Sequence, residues 1–171
     1  METWRETRLG RKLQLAVATG FGFGLCPVAS GTVGMLWGVP LAWGVVRLPV
    51  PWAIAAAGVL AALAVPVCST AERWFGRKDD GRIVADEYLT FPIALLGLPL
   101  QEAPLMLPVA FVVVRICDIL KPWPARSLQA LHGGLGIVID DVAAALYGLA
   151  VNWTLYRYGY GFLESWAARL F

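Results

Sequence analysis

Charged residues are scarce in this chain: they make up 15% of its 171 residues, whereas hydrophobic residues make up 58%. A soluble domain typically carries about 25% charged residues, so this balance argues against a soluble domain and for a membrane protein. The formal net charge is only +2, which supplies no broad basic surface for nucleic acid. We therefore expect an integral membrane protein that does not bind nucleic acid.

Histidine and cysteine are also rare. The single histidine, His132, excludes metal sites built from several histidines. The three cysteines, Cys26, Cys68 and Cys117, form no CxxC pair, so a structural zinc site is not expected. The phosphate-binding pattern GxxxxGKS/T is missing too, and the chain is therefore not a P-loop protein.

Long apolar stretches are what the chain does contain. A membrane-spanning helix needs about 20 mostly apolar residues. Residues 13–30 are rich in glycine and broken by Pro27, so we expect a short helix and an irregular, re-entrant segment there. No cleaved signal peptide is expected, because this first run leads directly into further spans. The expected spans are residues 33–48, 51–71, 83–100, 104–120 and 137–157.

These stretches predict a single all-α domain, residues 1–171, with four to five transmembrane helices and a Gly-rich N-terminal segment. Short loops rich in Lys and Arg lie on the cytoplasmic side of a membrane protein. With the N terminus inside, ten basic residues fall in the inner segments and three in the outer ones. The sequence therefore predicts a multi-pass protein with a cytoplasmic N terminus.

Acidic residues interrupt the apolar stretches in three places. Asp86 and Glu87 begin the third span, Asp118 ends the fourth, and Asp140 and Asp141 begin the fifth. A charge at bilayer depth costs at least ~2.5 kcal/mol and normally serves a function. Under the predicted orientation all five acids lie at cytoplasmic helix ends, so we expect them to share one depth and one face.

The residue pattern of the fifth span indicates the direction in which one of these acidic side chains points. Gly136, Asp140, Ala144 and Gly148 recur every four residues, which places them along one strip of a helix. Small residues in such a strip let neighbouring membrane helices pack closely. We therefore expect the Asp140 carboxylate to point into the protein and away from lipid.

Carboxylates gathered at one point repel one another unless a cation joins them. Mg²⁺ suits such a site because it prefers oxygen ligands, keeps several waters and commonly bridges to a phosphate. Basic side chains at the same depth would then bind phosphate oxygens. The expected metal ligands are Asp86, Glu87, Asp140 and Asp141, and the expected phosphate-binding residues are Arg115, Lys121 and Arg126.

Purely structural explanations exist for each of these residues. Arg115 and Asp118 are three residues apart and are also explained by an intramembrane ion pair. The acids at the start of the third and fifth spans are also explained by the helix dipole, which favours negative charge at a helix N terminus. The gathering of all three clusters at one depth favours a functional site.

Four segments of the chain carry distinctive motifs: GFGFGLCPVASGTVG (20–34), RIVADE (82–87), FVVVRICDILKPWP (111–124) and HGGLGIVIDD (132–141). These motifs resemble those of the phosphatidylglycerophosphatase A family, lipid phosphatases of the bacterial inner membrane. The resemblance implies Mg²⁺-dependent removal of the terminal phosphate of phosphatidylglycerophosphate during phospholipid biosynthesis, at a site facing the cytoplasm. It also implies catalytic roles for Asp86, Glu87, Asp118, Lys121, Asp140 and Asp141, and we expect Gly31 and Thr32 to contact the substrate.

The chain departs from the usual family pattern at several positions. Thr90 and Ala145 stand where the family usually has glycine, Ser30 stands where proline is common, and Gln129 stands where an acid is often found. None of these changes removes an expected metal ligand. We expect Thr90 and Ala145 to affect helix packing around the site, and we expect the departures to bear most on substrate range.

Other functions remain open at this point. One alternative is a phosphatase for a different lipid phosphate, and another is a small proton or cation transporter that uses the buried acids. A third is an inactive homologue that acts as a membrane partner. A transporter would spread its acids along a path through the membrane, whereas the expected acids gather at one end. The Cys-x5-Arg and DxDxT motifs of other phosphatase classes are missing from the sequence.

Overall fold

The computed structural model describes residues 3–169, with side-chain surroundings from residue 9 onward, and every regular element in that range is helical. The predicted all-α class is confirmed. Two short 3₁₀ helices, Phe23–Leu25 and Phe91–Leu95, interrupt the α-helices. The α-helices are α1 (Thr3–Ala18), α2 (Ser30–Met35), α3 (Gly38–Val45), α4 (Val50–Phe75), α5 (Ala85–Thr90), α6 (Met106–Leu120), α7 (Ala125–Leu128) and α8 (Gly134–Ala167).

Two of these helices, α4 and α8, are long and apolar enough to cross a membrane. Helix α4 begins directly after Pro49 with Pro51 in its first turn, where a missing backbone N–H leaves no hydrogen bond unmade. It ends at Gly76, whose φ of 68° is left-handed, a conformation that glycine adopts without strain. The number of spans and the re-entrant character of the Gly-rich segment stay predictions.

The expected third span, residues 83–100, is not one continuous helix. It forms the six-residue helix α5 and then a 3₁₀ helix with Pro92 near its start. Gly97 follows with a left-handed φ of 75°, which breaks the helical direction. Phe91 and Leu95 have no exposed surface, so this segment forms the centre of the helical core instead of a lipid-facing span.

Small residues bring the long helices together, as the four-residue spacing in the sequence predicted. Gly136, Asp140, Ala144 and Gly148 are all buried on α8. A methyl group added at Gly148 would meet the side chain of Val114 on α6 at 2.7 Å. At the start of α8, the Gly134 N–H donates to Ser69 Oγ on α4 at 2.9 Å. This close packing fixes the position of the α8 carboxylates relative to the neighbouring helices.

Five segments end or begin at the same side of the bundle. They are the start of α2, the loop between α4 and α5, the start of α5, the end of α6 and the first turns of α8. Two of them are joined directly, because Ser30 Oγ at the start of α2 donates to the Gly81 carbonyl in the α4–α5 loop at 2.6 Å. The five acids singled out in the sequence, Asp86, Glu87, Asp118, Asp140 and Asp141, lie on these segments.

Candidate active site

A cavity of about 410 Å³ lies where the five segments meet. All five acids expected from the sequence line it together with Arg115 and Lys121, so the structure brings together residues that lie far apart in the chain. Their chemical roles stay predictions. A larger cavity, about 570 Å³, lies between α1 and α4, and no carboxylate lines it. The charged residues around the smaller cavity are Asp79, Asp86, Glu87, Asp118, Asp140, Asp141, Arg115 and Lys121.

Oppositely charged groups alternate across this cavity from α5 to α8. Arg115 Nη1 donates to Asp118 Oδ2 at 2.9 Å and lies 3.0 Å from Glu87 Oε2, the second contact lacking hydrogen-bond geometry. Lys121 Nζ donates to Asp140 Oδ2 and lies 3.8 Å from Asp118 Oδ1. The expected pairing of Arg115 with Asp118 is therefore present, as part of a longer network that joins three helices.

The network leaves several buried polar atoms without partners. Asp86 Oδ1, Asp140 Oδ1 and Arg115 Nε form no hydrogen bond with any described residue. Asp86 is 5% exposed and Asp140 is 3% exposed, and a buried polar group without a partner costs about 1–3 kcal/mol. Unpartnered acceptors call for a cation, and an unpartnered guanidinium nitrogen calls for an anion. All three residues line the cavity, which therefore holds candidate groups for both kinds of ion.

The carboxylates of the cavity fit Mg²⁺ when one or two of them bind the ion and other ligands complete its coordination. Among the described residues, no three acidic, histidine or cysteine side chains are arranged to hold a metal ion by themselves. Mg²⁺ is commonly bound by only one or two carboxylates, with water and substrate phosphate completing its ligands. The unpartnered oxygens of Asp86 and Asp140 match that requirement, so the residues present fit a metal that arrives with, or is completed by, a phosphate.

Lys121 owes its position to the end of α6. It has a left-handed φ of 41°, and Pro122 prevents the helix from continuing. Burial by itself lowers the pKa of Lys121, but the hydrogen bond from its amine to Asp140 and the nearby charges of Asp141 and Asp118 outweigh burial and raise the pKa to about 12. The amine is therefore protonated at neutral pH and able to bind an anion.

Asp80 differs from the acids of the cavity in the hydrogen bonding of its carboxylate. It lies in the same polar loop as Asp79 but does not line the cavity. Its carboxylate accepts two side-chain hydrogen bonds from Arg82, at 2.7 and 2.9 Å. These hydrogen bonds lower the pKa of Asp80, so Asp80 is ionised and fully paired, as expected of a residue that only shapes the loop.

Gly31 lies in the wall of the cavity, and its expected contact with the substrate stays a prediction. Its backbone is packed against the Glu87 carboxylate so closely that a methyl group there would overlap both carboxylate oxygens. Thr32, by contrast, is absent from the cavity wall, and Arg126 lines a neighbouring cavity. The structure therefore places Arg126 in an adjoining cavity and not beside Lys121, and its expected role in phosphate binding stays a prediction.

The structure adds residues that the sequence did not single out. Asp79 lines the cavity from the polar loop, and it has an unusual left-handed φ of 49°. Ala29, Gly81, Ile83 and Ile119 also lie in the wall, as does Ser30, which the sequence marked only as a departure from the family pattern. The only signal in the sequence was that Asp79 belongs to the most polar stretch of the chain, which is also the expected character of an exposed loop.

Two departures from the usual family pattern are accommodated inside the core. Thr90 is 1% exposed, and its hydroxyl donates to the Asp86 carbonyl at 2.6 Å. Ala145 on α8 is fully buried in the main hydrophobic cluster. Thr90 therefore lies one helical turn from Asp86 and forms a hydrogen bond to its backbone. Through this contact, threonine in place of glycine affects the backbone next to the site.

The fold and the cavity define an all-helical protein with two helices able to cross a membrane and an acid-lined site at their ends. A model of the phosphatidylglycerophosphatase A family matches residues 16–156. The chain is 35% identical to phosphatidylglycerophosphatase A of Escherichia coli over 81% of its own length and 84% of that protein. It is 37% identical to the protein of the same name from Haemophilus influenzae, over 79% and 83% of the two chains.

A third relative carries a different name. The chain is 34% identical to a putative phosphatidylinositol-3-phosphatase of Bacteroides thetaiotaomicron, over 79% of this chain and 88% of that protein. No solved structure matches the chain. The family match covers most of the sequence, so the chain belongs to the phosphatidylglycerophosphatase A family, and the resemblance drawn from its motifs is confirmed.

Proposed function

We propose that this protein hydrolyses the terminal phosphate monoester of phosphatidylglycerophosphate, releasing phosphatidylglycerol and inorganic phosphate for phospholipid biosynthesis. Family membership supports an enzyme of this class, because two of the relatives are named phosphatidylglycerophosphatase A. The observation that carries the proposal is one cavity lined by Asp86, Asp140 and Arg115, each of which has a buried polar atom without a hydrogen-bond partner. Such a site binds a cation and a phosphate together.

Each charged group of the cavity has a role in this proposal. Lys121 and Arg115 donate charge-assisted hydrogen bonds to phosphate oxygens, and these bonds strengthen as charge develops during transfer. Asp118 contacts both cations and holds them in place. Of the four expected ligands, Asp86 and Asp140 have unpartnered oxygens and would hold Mg²⁺, while Glu87 and Asp141 line the same cavity. When bound, Mg²⁺ would polarise the phosphoryl group and lower the pKa of a bound water.

The proposal includes a location: a multi-pass protein of the bacterial inner membrane with the site facing the cytoplasm. The two apolar helices support membrane association. The loop that carries Asp79 also carries Arg77, Lys78 and Arg82, and basic loops favour the cytoplasmic side. In that orientation the cavity would lie near the lipid head groups, which suits a lipid phosphate as substrate.

The ion pairs of Arg115 also predict how the stability of the protein depends on this residue. Replacing it by alanine leaves Glu87 and Asp118 without their shared cation, which should lower the free energy of unfolding by ~3 kcal/mol. Arg115→Ala combined with Asp118→Ala should recover part of that loss, because one of the two stranded carboxylates is gone. Thermal unfolding in detergent and phosphate release should be measured for both variants, with the exposed Arg77→Ala as control.

Under our proposal the double variant recovers stability without activity, because the phosphate-binding guanidinium is still missing. Recovery of phosphate release together with stability would contradict the role of Arg115 in the site. It would identify the Arg115 pairs as purely structural.

Two alternative functions are a phosphatase that acts on another lipid phosphate and a transporter that hydrolyses no lipid. The relative named as a putative phosphatidylinositol-3-phosphatase makes phosphatidylinositol 3-phosphate the second candidate substrate. It shares with phosphatidylglycerophosphate a phosphate monoester on a head group that is itself joined through a phosphodiester. The transporter alternative is disfavoured, because the acids line one cavity at the helix ends instead of following a path between the two sides.

The purified protein tests the proposal in detergent with a set of lipid phosphates: phosphatidylglycerophosphate, phosphatidylinositol 3-phosphate and phosphatidate. Phosphate release should be fastest from phosphatidylglycerophosphate, should stop when a chelator removes divalent cations, and should return when Mg²⁺ is added. A faster reaction with phosphatidylinositol 3-phosphate would reassign the substrate. Full activity in the presence of the chelator would contradict the metal, and no release from any lipid would contradict the proposed enzyme.

A further inference from the structure

A second cavity, also about 410 Å³, adjoins the acid-lined one. It is lined by Lys78, Asp79, Arg126, Gln129 and Ala130. Asp79 lines both cavities, so they share that residue as part of a common wall. One wall of the second cavity comes from the polar loop after α4, and the other comes from α7 and the residues just after it.

The second cavity presents cations that the protein itself does not neutralise. Gln129 Nε2 donates to Asp79 Oδ2 at 2.7 Å, so an amide, and not Lys78 or Arg126, holds the one acid in the wall. Within the part of the chain that the structure describes, neither Lys78 nor Arg126 forms an ion pair. An acid in place of Gln129 would instead repel Asp79 and pair with the cations.

We infer that this second cavity binds the phosphodiester of a lipid whose phosphate monoester lies in the acid-lined cavity. The inference rests on the proposed function and names the feature of the substrate that the second cavity recognises. Arginine and lysine are the side chains that bind phosphate oxygens, and two of them lie beside the site of hydrolysis. Because the cavities adjoin, a head group that carries both phosphates is able to reach into both.

This arrangement selects a substrate class. Phosphatidylglycerophosphate carries a monoester and a phosphodiester on one glycerol, whereas phosphatidate carries only the monoester. Contacts to the phosphodiester therefore favour the first lipid over the second. They add binding energy at a group that does not react, so their loss should raise KM more than it lowers kcat.

The test compares Lys78→Ala, Arg126→Ala and the double variant with the wild-type protein, using dihexanoyl phosphatidylglycerophosphate and dihexanoyl phosphatidate in a neutral detergent. Arg77→Ala is the matched control, because Arg77 is an exposed arginine of the same loop and does not line the second cavity. The wild-type preference for phosphatidylglycerophosphate, expressed as the ratio of the two kcat/KM values, should fall roughly 10-fold or more in the double variant. Arg77→Ala should retain the wild-type ratio.

Equal losses on both lipids would overturn the inference, because cations that bind a different lipid or stabilise the fold affect both substrates alike. An unchanged ratio with no loss would overturn it as well. If the wild-type protein hydrolyses neither lipid, the proposed function fails, and binding decides the inference separately. Dihexanoyl phosphatidylglycerol, which has the phosphodiester alone, should raise the Tm of the wild-type protein and of Arg77→Ala but not of the double variant. An equal rise in all three would contradict the second site.

Discussion

Asp140→Asn is expected to reduce kcat for phosphatidylglycerophosphate by a factor on the order of 10² or more, with the protein still folded. Asparagine keeps the size of the side chain and its place on the packed strip of α8, but it removes the negative charge. In the structure one carboxylate oxygen of Asp140 accepts a hydrogen bond from Lys121, and the other has no partner. A loss of activity would therefore show that the reaction needs the unpartnered oxygen and the negative charge of Asp140.

Asp80→Asn is the matched control for this measurement. Asp80 is also a buried aspartate, but its hydrogen bonds go to Arg82 and it does not line the cavity. We expect its phosphate release to stay close to that of the wild-type protein, with at most a small fall in Tm. An Asp140→Asn variant that folds and keeps full activity would rule out Asp140 as a metal ligand.

Gly31→Ala is expected to reduce activity on the order of 10²-fold, because misplacement of a site residue by about 1 Å has effects of that size. The added methyl group would overlap the Glu87 carboxylate. That carboxylate is the end of a flexible side chain, so it is able to move aside at little cost to the fold. In moving it leaves its contact with Arg115 and its place in the cavity wall. The Tm should therefore change little.

Two other glycine substitutions separate this effect from general damage. Gly34→Ala would overlap Val84 at its Cβ atom, which is fixed to the backbone, so it should lower Tm as well as activity. Gly58→Ala on α4 meets nothing within 4 Å and should leave both unchanged. A Gly31→Ala variant with normal activity would show that the position of the Glu87 carboxylate is unimportant to the reaction.

The sequence was sufficient to predict the main parts of the cavity wherever helical periodicity decided the geometry. The four-residue spacing of small residues around Asp140 placed that carboxylate inside, and the structure buries it there. Asp118 and Lys121 are three residues apart near the end of one helix, which puts both on one face. The placement of acids at helix ends then brought the clusters to a common level.

Residues positioned by loops could not be predicted in the same way. Asp79 enters the cavity through a left-handed backbone conformation and a hydrogen bond to Gln129, which lies 50 residues away. Arg126 was expected to bind phosphate oxygens together with Lys121 and Arg115. Arg126 lies in the adjoining cavity instead, because the chain turns at Pro122 and Pro124 before the short helix α7. Helical periodicity in the sequence does not predict the direction of such a turn.

The break in the third apolar stretch has a related explanation. An apolar run of residues 83–100 reads equally as a membrane span or as a buried core segment. Pro92 and Gly97 interrupt the run, but proline and glycine are also tolerated inside membrane helices. Only the packing around Phe91 and Leu95, which leaves both without exposed surface, decides between the two.

The most direct test of the central claim is to identify the products that the purified protein forms from phosphatidylglycerophosphate with Mg²⁺ present. We predict that inorganic phosphate and phosphatidylglycerol appear in equal amounts, as measured by phosphate assay and mass spectrometry, and that Asp140→Asn forms both on the order of 10²-fold more slowly. Cleavage of the phosphodiester, which would release diacylglycerol or phosphatidate, would contradict the placement of the monoester in the acid-lined cavity. Equal phosphate release by wild-type and Asp140→Asn protein would contradict the site itself.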